Sequence, residues 1–211
     1  FMFWSSTIVL KKVVAGYTEL TKENTIAILG SSFVGALTFT FSDSFWYNAV
    51  EAEVYAMATL FIAILFWLGL RWEQDMNTPR GNRWLLLISL IVGLSFGVHF
   101  MALLTIPSIG FLYFFKNYEK VTVKNFIIAN VVIVAILLFI FKLLLPYTLG
   151  LFGKSEIFFV NTLGLPFDSG TIILFALIIG FFYFGLKYTC KKQQGFYNTI
   201  LLCVLFVLIG F

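Results

Sequence analysis

Charge is what this sequence has least of. Only 11% of its 211 residues are Asp, Glu, Lys or Arg, under half of the roughly 25% carried by soluble domains. That is too little polar surface to coat a water-soluble core, and it also excludes disordered and coiled-coil chains. Cysteine is equally scarce. Cys190 and Cys203 are the only two, thirteen residues apart, and specify neither a disulfide framework nor a metal site. There is one histidine, His99. Walker lysine, HExxH, CxxC and GxSxG motifs are all missing. No span carries charge in its middle except near Lys142, which weighs against ion pumps, proton relays and voltage sensors. The net charge of +4 is read as loop charge that sets membrane orientation, and nucleic-acid binding is not inferred from it.

What is present is apolar and aromatic: 61% hydrophobic residues, 27 of them Phe, with a mean hydropathy of +0.99. After an apolar opening, Phe1 to Leu10, seven further runs follow: Thr25–Phe41, Val54–Leu70, Trp84–Val98, Phe100–Phe115, Phe126–Leu145, Thr171–Leu186 and Phe196–Phe211. They are continuous rather than alternating, and an open sheet in lipid leaves its backbone unsatisfied. The expected fold is therefore all-α: one polytopic transmembrane helix bundle over residues 1–211, with about seven to eight spans. Both ends are expected to be cut from a longer protein. The start lacks the basic region and cleavage site of a signal peptide, and the last run stops without a polar exit.

Residues 84 to 115 form one apolar stretch. As a single helix it would be about 48 Å long, well beyond a hydrocarbon core of about 30 Å. It would also put Arg80 and Arg83 on the opposite side from Lys116, Lys120 and Lys124. A hairpin turning near Gly97-Val98-His99, with a short second arm bent at Pro107, keeps them together. Twelve of the 14 basic residues then share one side: Lys11, Lys12, Lys22, Arg71, Arg80, Arg83, Lys116, Lys120, Lys124, Lys187, Lys191 and Lys192. The positive-inside rule makes that side cytoplasmic. The other side receives Asp43, Glu51, Glu53, Glu156, Asp168 and His99, with Lys154 its only loop base; Lys142 lies inside a helix.

The segment from Phe41 to Tyr55 carries the most chemistry. Ser42 or Asp43 can cap a helix there, uninterrupted by Gly or Pro. On a continuous helix Tyr47, Glu51 and Tyr55 share one face, and Trp46, Val50, Glu53 and Met57 an adjacent one. Carboxylates at headgroup depth suit a general base, a metal ligand or contacts to sugar hydroxyls. The plainer alternative is an interfacial helix with Trp46 and Tyr47 as aromatic anchors. His99, at the turn on the same side, is either a satisfied structural residue, a phosphate contact, or a partner of a carboxylate around a divalent metal. Residues Pro146 to Gly170 are read as the longest outer loop, a connector. The small-residue pairs Gly93/Gly97 and Ser31/Gly35 are read as close helix packing.

The string FSDSFWYNAVEAEVYAMATLF (Phe41–Phe61), followed by GLSFGVHFMALLTIP (Gly93–Pro107), resembles the bacterial multipass membrane family related to protein O-mannosyltransferases. LGLPFDSGTI (Leu163–Ile172) resembles a later loop of that family. The resemblance implies a glycosyltransferase of the C-type membrane fold in a bacterial inner membrane, working on the extracytoplasmic face. Such an enzyme takes a sugar, a hexose such as mannose, from a polyprenyl-phosphate carrier and passes it to a protein or glycan. By the same resemblance Glu51 and Glu53 match the EAEVY acids and His99 the GVH histidine. Asp43 is grouped with these acids, and Trp46, Tyr47 and Tyr55 with His99 as substrate contacts. The leading acidic motif of the family is not found and would lie before Phe1; Asp168-Ser169-Gly170 is not its equivalent. A divalent metal at His99 would supply positive charge that the outer loops lack. A transporter or flippase of a lipid-linked substrate, or a non-catalytic subunit of a surface-assembly complex, are the competing expectations.

Overall fold

The computed structural model describes residues 1–16, 20–51 and 54–211. Among the described residues there is no strand, and ten α-helices account for most of the chain: α1 (Met2–Ala15), α2 (Lys22–Thr40), α3 (Asp43–Val50), α4 (Tyr55–Asp75), α5 (Asn82–Phe96), α6 (Thr105–Asn117), α7 (Val123–Leu138), α8 (Leu145–Ile157), α9 (Ser169–Lys191) and α10 (Gly195–Gly210). Short polar residues start several of them. Thr21 accepts the Asn24 N–H at 3.2 Å, Ser42 the Phe45 N–H at 3.4 Å and Thr122 the Asn125 N–H at 3.2 Å, satisfying donors that a first turn leaves open. Inside the helices, Thr38 and Thr40 return their hydroxyls to the carbonyls four residues back. That hides a polar group that lipid would not solvate.

Each expected apolar run is a helix, and the chain is a membrane protein. Among the described residues, four helical stretches are long and apolar enough to cross, against the seven to eight spans expected: Tyr55–Asp75, Phe100–Asn117, Val123–Thr162 and Ser169–Lys191. A fifth counts if α2 and α3, bent by 52° between them, act as one. Helices α5 and α10, with 15 and 16 residues, rise about 23 Å, short of a core of about 30 Å.

Helix α4 is the centre. It packs on α1, α3, α5, α6 and the 3₁₀ turn Phe100–Leu104, burying Phe61, Leu65, Leu68 and Trp72. The hairpin is present: α5 stops at Phe96, the 3₁₀ turn follows, and α6 returns. Both arms pack on α4 rather than on each other, and α5 packs still more extensively on α10. The polar ends confirm the direction. Glu73 of α4 takes Lys12 of α1 and Lys116 of α6, the latter at 3.6 Å, while Asp75 meets Arg83 of α5 at 3.6 Å and accepts the Trp84 indole N–H at 2.7 Å. Pro107 does not bend α6. It falls in the first turn, where no intrahelical partner for its missing N–H is needed.

Two further expectations change. Residues 146 to 162 are not a loop: Pro146 lies in the first turn of α8, and α7, a π turn (Phe139–Leu144), α8 and a second π turn (Phe158–Thr162) run on as one 40-residue helical stretch. Glu156 caps α9, accepting the Asp168 N–H at 2.6 Å and the Thr171 N–H at 2.9 Å. Of the small-residue pairs, Gly93 packs as expected, but against Gly210 of α10 rather than together with Gly97. A Cβ on Gly93 would lie 3.0 Å from the Gly210 Cα, whereas one on Gly35 would meet nothing within 4 Å. Ser31 and Gly35 face outward.

Two outcomes follow from this packing. Gly93→Ala should destabilise by about 1–3 kcal/mol, because backbones must separate. Gly35→Ala should leave stability unchanged or raise it by up to about 1 kcal/mol through helix propensity. Thermal unfolding of the detergent-solubilised protein reads both. Single cysteines at Asn77 and Asn117 should label from one membrane side and at Asn48 from the other, since Asn117 donates to the Met76 sulfur at 3.1 Å. Labelling of Asn77 and Asn117 from opposite sides would remove the hairpin.

Candidate functional site

Asp43, Trp46, Tyr47, Glu51, Tyr55 and His99 lie on or next to α3, the start of α4 and the turn after α5, away from Glu73 near the end of α4. Helix α3 begins at Asp43 under its Ser42 cap and ends at Val50. Glu51 follows with extended backbone, φ −67° and ψ 143°, its N–H still donating to the Tyr47 carbonyl at 3.2 Å. The helix therefore stops before Tyr55, which opens α4. The expected shared face of Tyr47, Glu51 and Tyr55 is broken there, as is the face that was to align Trp46 and Val50 with Met57. Glu53 lies outside the described residues. Trp46 and Tyr47 are 57% and 64% exposed, as expected of aromatic rings at a membrane–water boundary.

The structure does bring Tyr55 to His99. Their rings are 5.8 Å apart, across the junction of α4 with the α5–α6 turn. His99 is half-buried, and its Nδ1 accepts the Met101 N–H at 3.1 Å, capping the 3₁₀ turn. An accepting Nδ1 assigns the ring proton to Nε2 in the neutral form, leaving one ring N–H donor. Phe100 stacks on the imidazole at 4.6 Å, and Phe141 from the π turn lies 6.0 Å from Phe100 and 6.4 Å from Phe96. Sequence reasoning missed Phe100 and Phe141, since nothing in two apolar runs distinguishes one Phe from the next.

Among the described residues the donors do not assemble a metal site. Among the described residues no three His, Cys, Asp or Glu side chains gather closely enough to hold an ion. The Nδ1 lone pair of His99 is engaged, and its Nε2 carries the proton. Concave surfaces occur elsewhere: one on α2 around Gly30, Ser31 and Gly35, another between α1, α2 and α4 around Ser5, Ser31 and Phe66. Neither includes Asp43, Glu51 or His99. What the α3 and His99 region offers is exposed carboxylates on α3 and its end, large aromatic surfaces, and one N–H donor held at a fixed depth.

If His99 is a cap as well as a contact, His99→Ala should cost about 1 kcal/mol of stability. His99→Asn, which keeps an acceptor at the cap, should recover most of it in denaturant titrations of the solubilised protein.

The family model described as protein O-mannosyl-transferase TMEM260 N-terminal domain matches residues 1–122. That range includes α3, the start of α4, His99 and its turn, and ends ahead of α7. No curated protein and no solved structure matches this chain. The match spans more than half the sequence and contains the Tyr55–His99 pair: the chain belongs to the protein O-mannosyl-transferase TMEM260 N-terminal domain family.

Proposed function

We propose that this chain is the membrane core of a glycosyltransferase of the C-type fold. It moves a hexose such as mannose from a polyprenyl-phosphate-linked donor to a protein or glycan acceptor, on the extracytoplasmic face of a cell membrane such as the bacterial inner membrane. The observation that carries the reading is the family match over residues 1–122. The placement of α3, Tyr55 and His99 at the end of the bundle opposite the paired basic residues supports the choice of face.

The chemistry is a substitution at the anomeric carbon. The bond from that carbon to the phosphate oxygen breaks, and one to the acceptor hydroxyl oxygen forms. The hydroxyl proton passes to a carboxylate, Glu51 or Glu53, with Asp43 as the third acid of the face. The phosphate leaves with its electron pair, and the His99 Nε2–H donates to one of its oxygens. Trp46, Tyr47 and Tyr55 present flat apolar faces to the sugar rings. No step needs a metal held by the described residues.

The full-length protein in proteoliposomes, given mannosyl polyprenyl phosphate and an acceptor peptide, tests the reading. Glu51→Gln or Glu53→Gln should lower transfer by about 10²–10⁴-fold, with membrane insertion unchanged because the amide is isosteric. Full transfer in the triple variant Glu51→Gln, Glu53→Gln, His99→Ala would exclude these residues. Translocation of the donor across the bilayer without sugar release would favour the flippase reading instead.

A further inference from the structure

Helix α9 ends in a closed, strongly basic turn. Gln193, in the left-handed region at φ 56°, reverses the chain after Lys192. The Lys192 N–H donates to the Tyr188 carbonyl at 3.0 Å and the Gln194 N–H to the Thr189 carbonyl at 2.9 Å. From α10, the Asn198 side chain donates to the buried Thr189 hydroxyl at 3.0 Å. One residue on, Thr199 accepts the Asn82 side-chain N–H of α5 at 3.0 Å, and Asn82 adjoins Arg83, the partner of Asp75. Direct contacts thus hold this turn at the end of the bundle where the basic residues pair, the end read as cytoplasmic.

Its own charge is not paired. Lys12, Lys116 and Arg83 have Glu73 or Asp75. Among the described residues Lys187, Lys191 and Lys192 have no carboxylate partner. Helix α10 carries no charged residue, and Glu156 of α8, the other helix on α9, caps the far end of α9. The partial negative charge of a helix C-terminus, about half a unit, offsets little of three positive charges. On the helical period Tyr183, Phe184, Lys187, Tyr188 and Lys191 occupy the half of α9 opposite the buried Phe182 and Thr189, and all five are exposed.

Two of the ammoniums lie over rings one turn back into the span. Lys187 is 5.8 Å from the centre of the Tyr183 ring, and Lys192 is 4.6 Å from that of Tyr188. A lysine that only snorkels carries its ammonium outward to water. These two stand beside phenol groups, where a basic turn gives way to the aromatic face of a helix long and apolar enough to cross a membrane. Ammonium and phenol donors side by side suit the oxygens of a phosphate. The aromatic face next to them suits hydrocarbon. A phospholipid of net negative charge has both parts in that order.

We propose that the end of α9 is a binding site for an anionic phospholipid of the cytoplasmic leaflet. Lys187, Lys191 and Lys192 receive the headgroup phosphate, the Tyr183 and Tyr188 hydroxyls are further donors, and the acyl chains lie along the face that includes Phe184. The lipid fastens the α9–α10 hairpin at one depth. Tyr55 and His99 take no part, so the inference stands apart from the glycosyl-transfer reading.

The full-length protein in mild detergent, titrated with phosphatidylglycerol and separately with phosphatidylcholine, tests this by native mass spectrometry of bound lipid. Phosphatidylglycerol should bind at least about tenfold more tightly, since each lysine at a lipid surface contributes about a fivefold factor. Lys187→Gln, Lys191→Gln and Lys192→Gln combined should abolish the preference, and the three Lys→Arg changes combined should keep it. The matched control, Arg80→Gln, Lys120→Gln and Lys124→Gln, removes three exposed charges from the α4–α5 and α6–α7 connections and should also keep it. An unchanged preference in the α9 glutamine variant overturns the proposal. So does an equal loss in the control, which would leave only a diffuse surface charge. Glycerophosphoglycerol, the headgroup without chains, should fail to displace bound phosphatidylglycerol; displacement at equal concentration would assign the site to a soluble phosphate ester and overturn the lipid.

Discussion

The carboxylates of Glu73 and Asp75, at the charged end of α4, hold three other helices at one level. Glu73 takes Lys12 and Lys116, and Asp75 takes Arg83 and the Trp84 indole. Glu73 is largely covered, its side chain 12% exposed, so its charge is only partly solvated and two cations compensate it. The net stabilisation from such pairs is modest, because desolvation offsets most of the attraction. Their larger consequence is register. A helix rises by a constant increment per residue, so once the charged ends of α4, α5 and α6 are level, the depths of Tyr55 and His99 at the other end are settled.

Register alone does not produce neighbours. Close approach between helices α5 and α10 depends on Gly93 and Gly210, where a single Cβ would strike the opposing backbone. The two helices run parallel, since Asn82 and Thr199 meet near their starts at 3.0 Å and the glycines near their ends. With α5 held on one side of α4 and α6 on the other, the turn between them is drawn across the top of α4. That is why His99 lies beside Tyr55 although forty-four residues separate them in sequence. The 3₁₀ turn capped by His99 carries the chain across this gap, and Phe96, Phe100 and Phe141 fill the space beside it.

The acids were easier to locate in depth than in direction. Asp43 and Glu51 fall on or next to α3, and Ser42 caps it, as its sequence indicates. Their assignment to helix faces failed because α3 ends after eight residues. Nothing between Phe41 and Tyr55 is a helix breaker, so the stop comes from the need to turn α3 onto the start of α4, with which it packs. Glu156 shows the reverse case. As an isolated acid in an expected loop it has no evident partner in sequence, yet fifteen residues later Thr171 supplies the helix start that it caps.

Sequence by itself determined the environment, the helical class, the runs that become helices, and the side on which the basic residues gather. These depend on composition, on continuous hydrophobicity and on a fixed rise per residue, all of which are local or additive along the chain. It also determined that residues 84–115 must fold back, because bilayer thickness limits helix length. The tertiary structure alone decided that α5 and α6 lie on α4, that α8 continues α7, and that Tyr55 meets His99. The reason is that these helices are apolar on nearly every face. A helix with one apolar stripe announces which side it will bury, whereas a membrane helix does not. Its partners are chosen by shape, by small residues such as Gly93 that admit a neighbouring backbone, and by a few ion pairs at the ends, and none of these has a pattern that can be read in one dimension.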